Sequence, residues 1–323
     1  FGNGYNAPSG RSGVFMLRLE GGLDGEWSRG TDYRFIETGG DGLPGVTSDV
    51  TPVDTDRDRV PDRLYASDRE GRIWVLVENS GSWVAKDEPL FRTPGGQPIT
   101  TGVTVTGNRF VPDEESNAPN LLVFFGTGQY LSTGDLSDTT TQSFYGVWDH
   151  GGTGISRDQL QAQDLTESVA GQTRTRSLSG DEVAWGRNPT DDHGWYFDFD
   201  TRIGERVVER PRLRNGQLRF NTTIPETDPC SAGGSSFRMF VDLDGSNPDE
   251  PNVDDDNDGE LEDEPSAGTE HDDGLLSGGS GLLDVQVDNS TDEEKDEETR
   301  ITRTSEPAIR RGRLGWQELV RPR

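Results

Sequence analysis

Four aspartates, Asp54, Asp56, Asp58 and Asp62, occupy positions 1, 3, 5 and 9 of the segment DTDRDRVPD, with Val60 at position 7. That register is the ligand spacing of a calcium loop, in which a hard cation takes six to eight oxygens at about 2.3–2.6 Å and position 7 contributes a backbone carbonyl. In an extended strand the same aspartates would stand on one face about 6.5–7 Å apart and could not converge. The spacing therefore predicts a loop curled around an ion. Position 6 is Arg59 where such loops carry Gly, at a cost of about 1 kcal/mol for a left-handed residue with a Cβ. Position 12 is Tyr65 rather than a bidentate Glu, so the predicted site is a compact variant. The plainer alternative is a solvated acidic turn neutralised by Arg57, Arg59 and Arg63, although acids that only solvate a turn need no register.

A second run, VDDDNDGELEDE, places Asp254, Asp256, Asp258, Gly259 and Glu262 at positions 1, 3, 5, 6 and 9, with Glu260 able to offer its carbonyl. This candidate keeps its Gly but lies in a tract where acids fall into register by chance. Residues 241–300 hold 23 acids against Lys295 and Arg300. Other chemistry is sparse. His150, His193 and His271 are scattered and read as surface or turn histidines, and no serine sits in a nucleophile elbow. Cys230 is the single cysteine, which excludes a disulfide within the chain and zinc sites built on cysteine clusters.

The elements that must hold the first loop read as β-strands. Short runs rich in Val, Phe, Tyr and Trp recur between turn signals, with Gly 42 and Pro 18 in 323 residues, and helical periodicity shows only over residues 157–168. Residues 13–22 read as a strand leading into a Gly turn, followed by a Gly-rich connection to about Val53. Residues 63–66 and 72–77 form a hairpin joined through Asp68–Gly71. Its second strand is apolar on both faces, Ile73, Val75 and Val77 on one and Trp74 and Leu76 on the other, which suits a strand between two neighbouring sheets. Residues 120–133 read as a buried strand, a Gly-Thr-Gly turn and a return strand. Further strands fall at 143–149, 194–200, 204–225 with a turn at Asn215-Gly216, and 235–243. Antiparallel hairpins repeated in this way predict an all-β sandwich or the blades of a β-propeller.

Charge narrows the partners. The net charge is −29, a field that disfavours nucleic acid and anionic membranes, and no apolar run reaches membrane-spanning length. The tract 244–300 is too acidic and too poor in large apolar groups to pack, and is expected to be an exposed, partly disordered insertion. Phe1 is not an initiator Met and FGNGYN reads like the middle of a domain. The expectation is one propeller domain over 1–323, cut from a longer polypeptide.

Seven segments in order, FGNGYN at 1–6, DTDRDRVPDRLYASDREGRIW at 54–74, LLVFFGTGQYL at 121–131, TQSFYGVWD at 141–149, GWYFDF at 194–199, DPCSAGGSSF at 228–237 and the closing GWQELVRP, resemble the C-terminal β-propeller of the PilC/PilY family, the tip-associated proteins of type IV pili. The resemblance implies a modified, quinoprotein-dehydrogenase-like propeller whose calcium loop corresponds to Asp54, Asp56, Asp58, Val60 and Asp62. It further implies a non-enzymatic role at the bacterial cell surface in pilus assembly, adhesion and surface sensing. In the family, calcium occupancy is tied to the balance between pilus extension and retraction, and the implied partners are pilins and host or abiotic surfaces. Arg59 departs from the family, which usually has Gly there, and the family's von Willebrand factor A-like region lies outside this sequence.

Two other readings compete. Quinone-dependent dehydrogenases share the scaffold and resemble one another in a vicinal cysteine pair, for which Cys230 has no partner. A calcium-stabilised carbohydrate- or matrix-binding propeller would present Trp and Tyr on an accessible face. Trp74, Trp148 and Trp195 lie in apolar strands and read as core, while Trp27 and Trp83 fall in connections.

Overall fold

The computed structural model describes residues 1–271 apart from 6, 8–9, 40–44, 47–48, 113–118, 171–172, 189, 227–233 and 249–265. The second acidic candidate (Asp254, Asp256, Asp258, Glu260 and Glu262), Cys230 and the closing segment lie outside those residues, as does the His271 side chain. The described residues form strands and short 3-10 turns, in three sheets. β1 (Gly13–Leu17) and β2 (Tyr33–Glu37) make a hairpin. β3 (Thr51–Val53), β4 (Arg63–Ser67), β5 (Arg72–Asn79) and β6 (Ser82–Ala85) make an antiparallel meander, and β7 (Phe91–Arg92) also pairs with β5.

The third sheet contains β8 (Thr104–Gly107), β9 (Leu121–Gly126), β10 (Ser143–Asp149), β11 (Gln161–Ala170), β12 (Thr173–Gly180), β13 (Gly194–Asp198), β14 (Arg212–Arg214), β15 (Gln217–Asn221), β16 (Ser236–Asp242) and β17 (Gly268–His271). Its order is β14-β15-β16-β17-β12-β11-β13-β10-β9-β8. Within it, β8, β9, β10 and β13 form a second run of four antiparallel strands, with β11 and β12 inserted in the chain between β10 and β13. Repeated four-stranded units of this kind are the blades of a propeller.

Side-chain alternation along the strands builds the core. On β5, Ile73 and Val75 join one buried cluster while Trp74 and Leu76 join another. On β9, Val123 and Phe125 pack toward the first of these, and Leu122 and Phe124 turn to a third. β10 divides in the same way, with Tyr145 and Val147 on one face and Phe144 and Trp148 on the other. Apolar side chains between the blades thus bury both faces of the central strands, which is why these strands read as unbroken apolar runs. The third cluster is aromatic, with Phe144 stacked on Phe220 at 4.0 Å and Trp195 beside Phe197 at 6.1 Å. Each such ring hides about 150–250 Å², on the order of 4–6 kcal/mol of transfer free energy. Gly146 lies opposite Trp195 in the β10–β13 register, and a Cβ there would come within 2.6 Å of the indole.

Trp74, Trp148 and Trp195 are buried as expected, and the turn at Asn215-Gly216 joins β14 to β15 with φ values of 52° and 80°, the positive pair that two-residue hairpin turns require. Several other expectations are corrected. Residues 157–168 hold a 3-10 turn and most of β11 rather than a helix. Pairing with β12 fixes the segment as strand. The connection before Val53 contains β2 and β3. After the Gly-Thr-Gly turn no return strand follows directly; the chain passes through the 3-10 turn Thr133–Ser137, and β10 is the antiparallel partner of β9. Within the acidic tract, residues 268–271 form β17, paired with both β12 and β16.

Candidate metal centre

The first acidic segment is the loop of the β3–β4 hairpin, closed where the Asp62 N–H donates to the Val53 carbonyl at 3.1 Å. It is a loop because its own side chains outcompete the ladder for backbone donors. The Asp54 carboxylate accepts the N–H groups of Arg57 and Arg59, both at 2.7 Å. Asp56 accepts the N–H of Asp58 at 3.1 Å, and Asp58 accepts that of Val60 at 2.7 Å. These bonds wind the chain so that carboxylate oxygens of Asp54, Asp56 and Asp58 lie within 4.8 Å of one another.

The winding demands left-handed backbone at two residues, Arg59 with φ 77° and Arg57 with φ 65°. Strain at Arg59 follows from the missing Gly; strain at Arg57 carried no sequence signal. Replacing Arg59 with Gly removes a left-handed penalty of about 1–2 kcal/mol, offset in part by the greater freedom of Gly in the unfolded chain. Arg59→Gly is therefore expected to stabilise the chain by about 0.5–1 kcal/mol in urea unfolding, and an unchanged midpoint would count against the strain.

The fourth aspartate is placed differently. Asp62 accepts the Thr55 N–H at 3.1 Å and the Thr55 hydroxyl, and only Asp54, Asp56 and Asp58 share the close cluster. Val60 is 62% exposed. The carboxyls differ electrostatically. Burial raises the Asp54 carboxyl, but the N–H groups of Arg59 and Arg57 outweigh it and hold it below the ordinary value. At Asp56 the Asp58 N–H pulls downward, yet burial and the charges of Asp58 and Asp54 together push it upward. The charges of Asp58 and Asp54 are one part of that rise, and a divalent cation would offset them. Three converging carboxylates in an accessible loop are a hard-oxygen donor set and fit calcium or magnesium rather than a soft metal.

Asp62 also connects the loop to the blade. Its carbonyl accepts the Glu78 N–H on β5 at 2.9 Å, and the next residue, Arg63, is buried. Arg63 Nε donates to Asp149 at 2.8 Å and to the Tyr65 oxygen at 3.0 Å, while the Tyr65 hydroxyl donates to the same Asp149 oxygen at 2.6 Å. Burial first, then the Asp149 charge, hold the Tyr65 phenol well above its ordinary value. The acidic loop is thereby tied to the end of β10.

The two histidines expected to be scattered meet there instead. The antiparallel pairing of β10 with β13 brings His150 Nε2 to 3.1 Å from His193 Nδ1, against Trp148, and His193 is only 6% exposed. They lie 43 positions apart in the chain, and only strand pairing could have revealed the contact. Burial first, then His193 and Arg187, lower the His150 value below 6.5. A base depressed in the folded state adds stability that is complete above its unfolded value and is lost as pH falls through the folded one. The midpoint of thermal unfolding is expected to drop as pH falls below about 6.5, and His150→Gln should flatten that dependence; an equal slope in both proteins would refute it.

Residues 2–176, more than half of the chain, match the family described as the PilY1 β-propeller domain. The chain belongs to the PilY1 β-propeller family. Curated relatives in this family include a type IV pilus biogenesis factor PilY1 homolog from Xylella fastidiosa, 29% identical over 268 residues that cover 75% of this chain and 17% of the relative. Another is type IV pilus biogenesis factor PilY1 from Pseudomonas aeruginosa, 29% identical over 284 residues covering 75% of this chain and 23% of the relative. The chain spans about a fifth of the length of these PilY1 relatives. The crystal structure of the Pseudomonas aeruginosa PilY1 C-terminal domain superposes with a TM-score of 0.66 and 23% identity, covering 84% of this chain and 63% of that one. The PilY1-type propeller expected from the sequence is thus the observed fold. Among the described residues no helix is long and apolar enough to cross a membrane.

Proposed function

We propose that this chain is a calcium-binding, non-enzymatic propeller of a type IV pilus biogenesis protein that acts at the pilus tip, and that occupancy of its β3–β4 loop biases the balance between pilus extension and retraction. The observation that carries the reading is the convergence of Asp54, Asp56 and Asp58 within 4.8 Å at the tip of a hairpin, in a chain whose relatives are named as pilus biogenesis factors. Calcium would draw in the Val60 carbonyl and, by taking the Asp62 carboxylate from Thr55, complete the oxygen set, so that binding orders the segment leading into buried Arg63. Pilins, and the host or abiotic surfaces to which pili attach, are the proposed partners, and the outer face of the bacterial cell is the proposed location. The same loop register, rather than any catalytic grouping, is what the sequence invests in, and Cys230 has no neighbour with which to form the vicinal pair of the quinone enzymes.

Calorimetric titration of calcium into the chain tests the reading. Saturable binding with Kd of about 10⁻⁴–10⁻³ M is expected, the range of extracellular calcium modules, with a stabilisation of about 2.7 kcal/mol once calcium exceeds Kd a hundredfold. Asp54→Ala should abolish both. Heat and melting curves that do not respond to millimolar calcium in the parent chain would remove the basis of the mechanism.

A further inference from the structure

β6 and β2 each present an open edge to the same groove. The Lys86 N–H donates to the Val75 carbonyl at 2.9 Å, which with the register Val77↔Val84 and Asn79↔Ser82 makes those pairs the hydrogen-bonded ones. The N–H and C=O groups of Trp83 and Ala85 therefore point away from β5, and among the described residues no strand pairs with β6 on that side. In β2, the Thr38 N–H donates to Ser12 at 2.9 Å and the Arg18 N–H to Asp32 at 2.7 Å. These bonds fix Val14–Ile36 and Met16–Arg34 as the bonded pairs and turn the backbone of Phe35 outward.

Between the two strands lies an open groove of about 380 Å³, with Ile36, Trp83 and Ala85 supplying apolar surface and Arg29 and Arg34 the charge. No acid lines it. Neither guanidinium forms an ion pair or hydrogen bond with a described residue, and Glu37, whose ionisation Arg29 favours, is already held by Arg11. Two arginines without an ion-pair partner among the described residues, set over apolar surface, stand out on a chain of net charge −29.

We propose that the β6 edge accepts an extended strand of a partner protein whose side chains carry carboxylates. The outward backbone groups of Trp83 and Ala85 would supply the ladder, as in β-strand addition, while Arg29 and Arg34 would take the carboxylates with their planar forks. An exposed edge of this kind is a template that soluble proteins ordinarily block with charge, proline or a covering segment. Here the charged residues described in the groove itself are both basic and select their complement. The proposal does not depend on an ion in the β3–β4 loop, and its test is run with chelator present so that failure of the calcium reading leaves it standing.

The experiment is fluorescence anisotropy on the whole chain with a short capped peptide alternating valine and glutamate, beside its valine–lysine counterpart. The glutamate peptide is expected to bind at least about tenfold more tightly than the lysine peptide, a difference of about 1.4 kcal/mol. Arg29→Glu combined with Arg34→Glu should reverse that preference. Ala85→Pro removes an outward N–H and no ladder bond, so it should weaken binding at least about tenfold with its melting temperature unchanged. If that variant does not fold, the paired arginine reversal decides alone. The proposal is overturned if the glutamate peptide does not bind at millimolar concentration, or if the reversed pair keeps the original preference. It is also overturned if sedimentation shows the chain pairing with itself in a contact that Ala85→Pro abolishes, since the edge would then belong to a second copy.

Discussion

Asp149→Ala is expected to destabilise the chain by about 3–5 kcal/mol, the loss found when one partner of a buried ion pair is removed. Asp149 is fully buried, and its carboxylate is the shared acceptor of Arg63 Nε and the Tyr65 hydroxyl while its second oxygen takes the Gly151 N–H at 2.9 Å. Truncation leaves a buried guanidinium without a counter-charge, a phenol without an acceptor and a turn without its cap. At about 2–4 °C per kcal/mol for a domain of this size, the midpoint should fall by roughly 6–20 °C. The loss measures an orphaned charge rather than the worth of the pair. Arg63→Met made together with Asp149→Leu should therefore recover much of it, because well-packed apolar groups often match a buried ion pair. A single-variant loss below about 1 kcal/mol, the level of an exposed pair, would show that the group is solvated in solution. Because Arg63 directly follows Asp62, Asp149→Ala should also loosen the loop and weaken any calcium response.

The parts of this fold that could be read in the sequence are those where local pattern and tertiary environment agree. β5 is apolar on both faces because blades cover both, and its burial follows from composition alone. The aspartate register gave the right loop because Asp54, Asp56 and Asp58 bind the backbone N–H groups a few residues ahead, a purely local interaction. Asp62 shares the register, yet its carboxylate lies on Thr55, and a ligand spacing cannot say which of two short-range partners an exposed carboxylate takes. β11 and the His150–His193 contact were illegible for a different reason. Both are products of pairing, with β12 in one case and between β10 and β13 in the other, and nothing near either segment encodes the partner. The open edges of β2 and β6 belong to the same class, since which backbone groups face outward depends on hydrogen-bond parity with a neighbouring strand.

Asp68→Ala is expected to cost a similar amount, about 3–5 kcal/mol, although it lies in a turn and the sequence marks it only as a hairpin connection. The turn is built inward. Asp68 is fully buried and accepts four donors, the N–H groups of Glu70 at 2.9 Å and Arg72 at 3.2 Å on one oxygen, and Arg72 Nε at 2.7 Å and the Trp74 indole at 2.9 Å on the other. Its own carbonyl takes the N–H groups of Gly71 and Ile99, both at 3.1 Å. Gly71, with φ 74°, admits no side chain because a Cβ would lie 1.7 Å from the Thr93 hydroxyl, so the turn cannot swing out to find water for these groups. Asp68→Asn separates charge from shape. An amide has one acceptor oxygen, and whichever way it is turned its NH₂ faces two donors. The asparagine variant should therefore lose more than half of what the alanine variant loses, whereas in an ordinary solvated turn the two residues are nearly interchangeable. Urea unfolding of both variants checks this, and an asparagine variant as stable as the parent would mean that the carboxylate is not the buried hub of the β4–β5 hairpin. The hairpin carries Tyr65, Trp74 and Val75 into two of the three core clusters, so its failure should spread to both neighbouring sheets in a single cooperative transition rather than fray locally.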